Sequence, residues 1–476
     1  MADVEQTTLR VHGGPCALEL GPDRAMFVLV SFEGPDRYSQ AGGLGVRVSG
    51  LADTLASLGY ETRLFFIGDP NAPGEERAHD GHLILQRWAQ WISANCPGGV
   101  YDGEAAKVAD LTASLPPYLV ERVLAPAIMA SRTPILIFEE WQTAETACRV
   151  SDLLTALRIR DRAVVSWNAN NCYGFERIDW ARLAAATTIT TISRYMRSII
   201  RSCGADARVI PNGIPESALQ LAPGDDVSRI RAAAESRPDV GFLFKMARWE
   251  REKGWAQALD AVRETRLERT ATPSTCSRRP ILIARSGGPT GVGNELLTDA
   301  ESRGLRVIPF DSEREFSDGL TNGVRAGADV ISLRFGVSAA LARALYAAAD
   351  GVLANSISEP FGLVGLETMA AGGVPFTGGT GEDYAIQGRN AIVLETLDPR
   401  EIVTRWNELS SSPQLGARLR RAARITARAY AWPAVVEQLV ASLAQPARRH
   451  ALPGATPVPA RRDQSRRVRL TRPMAI

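Results

Sequence analysis

The chain of 476 residues is 45% hydrophobic and 23% charged, and its formal net charge at neutral pH is +2. A chain of this length exceeds what one ordinary hydrophobic core fills, so we expect two domains. The balanced charge gives no electrostatic reason to expect nucleic acid as a partner. The six cysteines and four histidines are scattered without metal-ligand spacing, so we expect no metal site and a location in the reducing cytoplasm.

The two ends of the chain differ from its middle. Residues 1–24 are predicted to form a loose leader, and they lack the basic and apolar regions of a signal peptide. No run of eighteen apolar residues occurs, so we expect no membrane-spanning helix. From residue 446 the chain is rich in Pro, Ala and Arg, with eight arginines against one acidic residue. We expect this tail, 446–476, to be disordered and to make at most weak contact with a membrane surface.

Between these ends, short apolar runs typical of buried strands alternate with helix-length segments. The predicted strands of the first half are 26–31, 62–67, 134–138, 163–166, 187–192 and 208–211, with a helix at 44–58. A second series follows at 242–245, 281–284, 306–309, 328–331, 351–353 and 391–394. This alternation predicts an α/β fold of two doubly wound, Rossmann-like domains that face a central cleft.

The boundary between the two domains is predicted from a cluster of turn residues. Pro211-Asn-Gly-Ile-Pro215 interrupts the alternating pattern, and the next predicted strand begins only at residue 242. We therefore place the first domain at 25–212 and the second at 213–430, with the hinge near 212–240.

Two carboxylates eight positions apart, Glu359 and Glu367, flank a glycine turn in the second half. The apolar run before them predicts a parallel strand, and the residues after them predict a helix with Gly362 to Val364 at its N-terminus. Free N–H groups at a helix N-terminus attract anions, so a phosphate there beside a carboxylate for sugar hydroxyls outlines a nucleotide-sugar site. The alternative interpretation is that both glutamates are solvated surface residues.

A charged loop follows the first predicted strand of the second half. In Ala247-Arg-Trp-Glu-Arg-Glu-Lys-Gly-Trp255, Arg248 offers a planar fork for phosphate oxygens and Lys253 a compact charge. Both stand at the carboxyl edge of the predicted strand, where ligands bind in such sheets. In isolation, a charge-rich loop of this kind is usually solvated surface.

The first predicted strand of the chain is followed by a glycine loop that contains Gly42, Gly43 and Gly45. Glycines at a strand-to-helix transition let the backbone approach a ligand closely. A dinucleotide-binding oxidoreductase would need G-x-G-x-x-G directly after the strand, and this loop has neither that pattern nor that position. The remaining alternative is a simple helix-starting turn.

Together these motifs resemble those of retaining glycosyltransferases of the GT-B type, the group that contains glycogen and starch synthases and glycosyltransferase family 4. The resemblance lies in the E-x7-E motif at 359–367, the Arg-x4-Lys-Gly element at 248–254, the glycine loop at 42–45 and the Ile-Pro-Asn-Gly turn at 210–213. It covers roughly residues 26–445. The segment 431–445 is similar to the family's last helix and is therefore predicted to cross back onto the first domain.

The resemblance implies transfer of a sugar from a nucleoside-diphosphate sugar to a carbohydrate or other acceptor, without metal or cofactor. Catalysis would depend on Glu359, Arg248 and Lys253, with Glu359 at the transferred sugar and the two cations at the diphosphate. The donor would contact Gly43, Gly45, Arg248, Lys253, Gly362, Leu363, Val364 and Glu367, the last through its ribose hydroxyls. The sugar and acceptor cleft would hold Glu140, Asn168, Gly378 and Gly379.

The chain also departs from the family pattern. Gln40 stands where the family usually has Lys, Val46 where many members have Asp, and Trp167 where relatives have a histidine that contacts the sugar. Glu139-Glu140 replaces a His-Asp pair. Two further functions therefore stay open, a nucleotide-sugar hydrolase or epimerase and a nucleotide-sugar-binding protein without catalysis. No convincing nucleophile is evident, so the resemblance implies front-face attack by the acceptor.

Overall fold

The computed structural model describes residues 20–271, 278–285 and 290–450. The strands of these residues form two sheets, one in each half of the chain, of eight and seven strands. Helices connect most of the successive parallel strands, as is usual in a parallel sheet. The predicted fold class, two doubly wound α/β domains, is confirmed.

The first sheet has the strand order β3-β4-β2-β1-β5-β6-β7-β8. Its strands are β1 (Ala25–Val30), β2 (Glu61–Ile67), β3 (Glu75–Ala78), β4 (Leu83–Trp88), β5 (Thr133–Glu139), β6 (Val164–Ala169), β7 (Thr188–Thr191) and β8 (Arg208–Val209). All neighbours pair in parallel except β3 with β4. The chain leaves β1 on one side toward β2 and returns on the other at β5, so the carboxyl ends of β1 and β5 form a topological switch point.

The second sheet is entirely parallel, in the order β11-β12-β10-β9-β13-β14-β15. Its strands are β9 (Val240–Met246), β10 (Arg279–Arg285), β11 (Val307–Phe310), β12 (Val330–Leu333), β13 (Gly351–Ala354), β14 (Pro375–Thr377) and β15 (Ile392–Val393). Here the switch point lies between the carboxyl ends of β9 and β13, because β10 and β13 flank β9 on opposite sides.

The described residues contain sixteen α-helices. Those of the first half are α1 (Gly43–Ser57), α2 (Gln90–Ser93), α3 (Glu104–Tyr118), α4 (Ala125–Met129), α5 (Ala144–Ala156), α6 (Trp180–Ala186) and α7 (Arg194–Ser202). Those of the second half are α8 (Gly224–Glu235), α9 (Trp255–Ala271), α10 (Thr290–Ser302), α11 (Glu313–Arg325), α12 (Ala339–Ala348), α13 (Leu363–Ala371), α14 (Pro399–Ser411), α15 (Pro413–Arg428) and α16 (Trp432–His450). Within the described part of the chain, none of the helices has the length and apolar character needed to cross a membrane.

Each sheet is covered on both faces, which explains why its strands read as continuous apolar runs. All six residues of β1 are buried, and two separate hydrophobic clusters line the two faces of each sheet. The helix α16 packs on α1 of the first half, with the Trp432 ring against Gly50 where a larger side chain would have no room. The helix α16 continues to His450, so residues 446–450 of the predicted disordered tail are helical. The rest of that tail, 451–476, lies outside the described residues.

Candidate functional site

The N-terminus of α13 lies at the carboxyl edge of the second sheet, directly after β13. Gly362 precedes the helix with φ +81°, a left-handed conformation that a glycine adopts without strain. No side chain of the described residues caps the first N–H groups of α13 at Leu363 and Val364. The predicted arrangement of Gly362, Leu363 and Val364 at a helix N-terminus is therefore present, with donors available for an anion.

The structure brings Lys253 and Glu359 together. The Lys253 Nζ lies 2.9 Å from Glu359 Oε2, and about a fifth of each side chain is exposed. The Glu359 loop leads into the N-terminus of α13, so the cation and the free N–H groups belong to one region. Because each group is the other's partner here, a diphosphate at Lys253 would compete with the Glu359 carboxylate.

Arg248 takes a different position. Its side chain is 66% exposed and pairs with Glu250 at 3.1 Å, while Trp255 Nε1 donates to its carbonyl oxygen at 2.7 Å. The loop is thus fixed through its backbone, but the guanidinium lies in solvent and is not in contact with Lys253 or Glu359. An exposed ion pair of this kind contributes little to stability, so Arg248 can leave Glu250 at small cost.

Glu367 lies one turn inside α13, as predicted. Its Oε2 accepts a hydrogen bond from the Tyr346 hydroxyl at 3.2 Å, and Tyr346 belongs to the neighbouring helix α12. Burial raises the pKa of Glu367 above its ordinary value, and the bond from Tyr346 opposes that change. The half-buried carboxylate is therefore held in one orientation near the mouth of the helix.

Thr380 and Glu382 lie beneath the Glu359 loop. The Glu359 amide donates to Thr380 Oγ1 at 2.9 Å, the Thr380 hydroxyl contacts the Glu359 carbonyl at 3.0 Å, and the Thr380 amide donates to Glu382 Oε2 at 3.2 Å. Burial, assisted by the negative charge of Glu359, raises the pKa of Glu382 to about 7. Sequence reasoning did not select Glu382, although it follows the predicted glycine pair by three residues.

Gly378 and Gly379 directly precede Thr380 and line a cavity of about 480 Å³. The cavity lies at the carboxyl ends of β13 and β14, and its other walls include Gln257, Asn355 and the segment 393–398. The predicted glycine pair thus borders an open space next to the Glu359 loop.

The backbone amides of the first half's glycine loop bind the side-chain carboxylate of Glu33. Glu33 Oε2 accepts hydrogen bonds from the amides of Ala41, Gly42 and Gly45 at 3.1, 2.9 and 3.0 Å, and Glu33 Oε1 accepts from the Tyr101 hydroxyl at 2.6 Å. Glu33 is buried, and the pKa of Tyr101 is raised first by the burial of its hydroxyl and then by the hydrogen bond to Glu33 and the charge of that carboxylate. The Gly45 amide, which the resemblance assigned to the donor, is therefore already hydrogen-bonded to the Glu33 carboxylate. Gly43 is the first residue of α1. The pattern of glycines could not reveal this, because Glu33 reaches the loop from ten residues upstream.

A buried polar network lies at the carboxyl ends of β5 and β6. Glu139 accepts from Arg47 Nε at 3.2 Å and from the amide groups of Asn168 and Asn170 at 2.9 and 2.7 Å. Glu140 follows with φ +68°, an unusual backbone conformation for a residue other than glycine. Its Oε1 accepts from the Asn170 amide at 2.7 Å, and burial raises the pKa of Glu140 to about 8. The Glu140 carboxyl therefore keeps its proton to higher pH than an ordinary glutamate does.

Asn168 and Trp167 support this network from within the sheet. The Asn168 amide donates to Glu139 and accepts from Thr190 Oγ1 at 2.9 Å, and the residue is fully buried. Trp167 is buried as well, with Nε1 donating to the Glu140 carbonyl at 2.8 Å. The structure therefore does not bring Asn168 to the surface of the cleft, and Trp167 stabilises the strained turn at Glu140.

We expect the ionisation of Glu140 to lower stability as pH rises. A carboxyl whose folded pKa is raised stabilises the fold fully below its ordinary pKa near 4.5, and this stabilisation is lost as pH rises through about 8. In Glu140→Gln that loss is absent, so the variant should gain more than about 1 kcal/mol relative to wild type between pH 5 and 8.5. Urea unfolding at several pH values measures the difference, with the exposed Glu121→Gln as control. Parallel pH curves for wild type and Glu140→Gln would contradict the assignment.

The two halves meet at the loops that carry the site. The Arg194 amide and Nε donate to the Asp383 carboxylate at 2.7 and 3.1 Å, and the Tyr195 hydroxyl lies 3.0 Å from Ser358 Oγ. Asp383 follows Glu382 and Ser358 precedes Glu359, so α7 of the first half contacts both loops of the second. In the part of the chain that the structure describes, no group of three or more His, Cys, Asp or Glu side chains is placed to hold a metal ion.

Known structures share this two-domain fold. Sucrose-phosphate synthase from Thermosynechococcus elongatus superposes with a TM-score of 0.59 at 16% identity, covering 88% of this chain and 98% of that one. A trehalose-6-phosphate protein from E. coli bound with UDP-2-fluoroglucose has a TM-score of 0.58 at 14% identity, with coverages of 88% and 99%. The catalytic domain of starch synthase IV from Arabidopsis thaliana, bound to ADP and acarbose, has a TM-score of 0.54 at 15% identity, with coverages of 89% and 99%. No protein-family model and no curated protein matches this chain.

Proposed function

We propose that this protein is a retaining glycosyltransferase that moves a sugar from a nucleoside-diphosphate sugar to an acceptor hydroxyl. One observation carries the proposal: the N-terminus of α13 is uncapped with Glu367 one turn inside, and Lys253 pairs with Glu359 in the loop that leads into this helix. A diphosphate needs N–H donors and a cation, and a ribose needs a hydrogen-bond acceptor. Fold neighbours that hold UDP-2-fluoroglucose or ADP support this choice of ligand. The free thiols of Cys96, Cys148, Cys172 and Cys203 support a reducing cytoplasm as the location.

In this proposal the donor diphosphate replaces the Glu359 carboxylate as the partner of Lys253. Lys253 and the amides of Leu363 and Val364 then stabilise the charge that grows on the leaving phosphate as the sugar departs. Glu359, released from Lys253, accepts hydrogen bonds from the transferred sugar. Arg248 reaches the phosphates only by leaving Glu250, so its contribution is the smaller one.

The acceptor side of the proposed reaction lies at the carboxyl ends of β1 and β5. Glu140 is buried there at the topological switch point. The acceptor oxygen attacks the anomeric carbon from the face that the diphosphate leaves, and the departing phosphate oxygen takes the acceptor's proton. The glycine loop contributes through Gly43 rather than Gly45, whose amide is bonded to Glu33.

The role of Glu367 gives a kinetic prediction. Ribose hydroxyls are the same in the ground and transition states, so Glu367→Gln should raise KM for the donor about tenfold and change kcat less. Tyr346→Phe removes the hydroxyl that orients Glu367 but keeps the carboxylate, so its effect on KM should be smaller. Steady-state kinetics with varied donor measures both. A Glu367→Gln variant with wild-type KM would remove this residue from the ribose site.

Two other functions use the same site. A nucleotide-sugar hydrolase or epimerase needs no acceptor, and a binding protein would hold the donor unchanged. The buried Trp167, in place of a sugar-contacting histidine, is the observation that favours the binding protein. Incubation with UDP-, ADP- and GDP-glucose labelled in the sugar, with and without a panel of sugar phosphates and oligosaccharides, separates them.

The distribution of the label decides between these functions. We expect labelled acceptor in wild type and far less in Glu359→Gln, which is the matched control for contaminating enzymes. Labelled free sugar that is independent of acceptor would show a hydrolase, an isomerised donor would show an epimerase, and donor that is bound but unchanged would show a binding protein. Absence of binding by all three donors would contradict the proposed function.

A further inference from the structure

Lys245 is a buried lysine at the switch point of the second sheet. It is the next to last residue of β9 and is 1% exposed. Its Nζ donates to Asn355 Oδ1 at 2.6 Å and contacts the Leu353 carbonyl at 3.4 Å, both at the end of β13. The Nζ also lies 5.2 Å from the centroid of the Trp255 ring. The chain has only three lysines, and two of them, Lys245 and Lys253, belong to this edge of the sheet.

A short chain of hydrogen bonds links Lys245 to the Lys253 loop. Asn355, which accepts from Lys245, donates from Nδ2 to the Gly254 carbonyl at 3.1 Å. Gly254 directly follows Lys253 and has φ +66°, and a Cβ there would collide with the Asn355 carbonyl oxygen. The backbone next to Lys253 therefore packs directly on Asn355, the hydrogen-bond partner of Lys245.

Lys245 lacks a compensating negative charge. No carboxylate of residues 20–271, 278–285 or 290–450 forms an ion pair with Lys245. The charged groups that act on it are Lys253 and Glu359, which are paired with each other. Burial first and the positive charge of Lys253 second lower the pKa of Lys245 to about 7, whereas Glu359 raises it. The Lys245 side chain therefore gives up its proton more readily than an ordinary lysine, because it is buried without a carboxylate partner.

We propose that Lys245 takes up a proton when a diphosphate binds at Lys253, so that anion binding and the charge of a second, buried lysine are coupled. The inference rests on the proposed function, because it assumes that the anion binds at this site. A diphosphate brings at least two negative charges to the N-terminus of α13, and in a buried environment this favours the ammonium form of a nearby amine. The proton comes from solvent, and the amine converts from –NH₂ to –NH₃⁺.

The coupling makes Lys245 a positioning residue for Lys253. As an amine, Lys245 still donates a hydrogen bond to Asn355, so the loop keeps its place when the site is empty. As an ammonium, it forms stronger, charge-assisted bonds to Asn355 and Leu353, and these hold the Lys253 loop more firmly once the anion is bound. Affinity for the anion should therefore fall as pH rises above about 7, by up to roughly tenfold per pH unit.

The test is calorimetric titration of UDP into the full chain at pH 8, in buffers of different ionisation enthalpy. At this pH the terminal phosphate, with a second pKa near 6, is almost fully ionised and contributes few protons of its own. We expect wild type to take up about half a proton or more per UDP and Lys245→Met to take up clearly less, because only Glu382, whose pKa of about 7 the bound phosphates also raise, then remains to take up a proton. Heats that do not depend on the buffer in wild type would overturn the inference.

A measurement that needs no variant guards against a Lys245→Met chain that fails to fold. With three lysines, selective ¹³C labelling of lysine gives few ε-carbon signals, and the midpoint of the Lys245 signal can be followed with pH. UDP should raise this midpoint by more than about one pH unit, and an unchanged midpoint with UDP bound would contradict the coupling. Failure of UDP and of ADP to bind at all would instead contradict the proposed function, so the two failures are distinct.

Discussion

Glu359→Gln should lower kcat about a hundredfold or more while leaving the affinity for a nucleoside diphosphate unchanged or higher. The carboxylate is proposed to contact the sugar, where charge develops during transfer, so its loss weakens the transition state. In the free protein the same carboxylate pairs with Lys253 at 2.9 Å, so its neutralisation also frees the lysine for phosphate. Steady-state kinetics and calorimetry with UDP or ADP measure the two effects separately.

The matched control for this variant is Glu250→Gln. Glu250 pairs with the exposed Arg248 in the same region, so its neutralisation should change neither kcat nor nucleotide affinity by more than about threefold. Wild-type turnover in Glu359→Gln, or equal losses in both variants, would remove Glu359 from the reaction.

Lys253→Met should have the opposite effect on binding. A hydrogen bond to a charged group contributes about 1.5–3 kcal/mol, so the affinity for UDP or ADP should fall roughly tenfold to a hundredfold. The variant also leaves Glu359 without its cation next to the phosphates, which adds repulsion. Calorimetric titration measures the loss, and a melting curve confirms that the variant is folded.

Arg248→Ala provides the comparison within the same loop. Because the guanidinium is exposed and paired with Glu250, its removal should cost less affinity than the removal of Lys253. An Arg248→Ala loss that exceeds the loss in Lys253→Met would show that the exposed arginine, and not the lysine at Glu359, holds the diphosphate.

The architecture could be predicted from the sequence because both sheets are parallel and covered on both faces. Strands such as β1 and β9 are then continuous apolar runs, and the helix-length gaps between runs dictate the connections. The strand β3 was missed because Glu-Glu-Arg-Ala is a charged, antiparallel edge strand without an apolar run. The strand β4 was missed as well, because its polar end, Gln-Arg-Trp, weakens its apolar signal.

The site at α13 could be predicted for a similarly local reason. A glycine turn between a strand and a helix places Gly362, Leu363 and Val364 at a helix N-terminus whatever the rest of the fold does. The position of Glu367 then follows from helix geometry alone. Local pattern was sufficient because each of these features depends on residues within one turn of the others.

Contacts between distant residues were beyond the sequence pattern. The Glu33 carboxylate accepts hydrogen bonds from the amides of the first glycine loop, and Lys253 and Glu359, which pair, are more than a hundred positions apart. Lys245 entered the predictions only as the last residue of the apolar strand 242–245. A lysine in such an apolar run is itself a signal of an unusual environment. The exposure of Arg248 was equally invisible, because its spacing to Lys253 does not determine where the side chain lies.

A crystal structure of the wild-type chain with UDP or ADP is the most direct test of the proposed site. We predict the diphosphate at the Leu363 and Val364 amides and at Lys253, the ribose at Glu367, and Glu359 separated from Lys253. A nucleotide bound elsewhere, with the Lys253–Glu359 pair intact and the α13 N-terminus empty, would contradict the central claim.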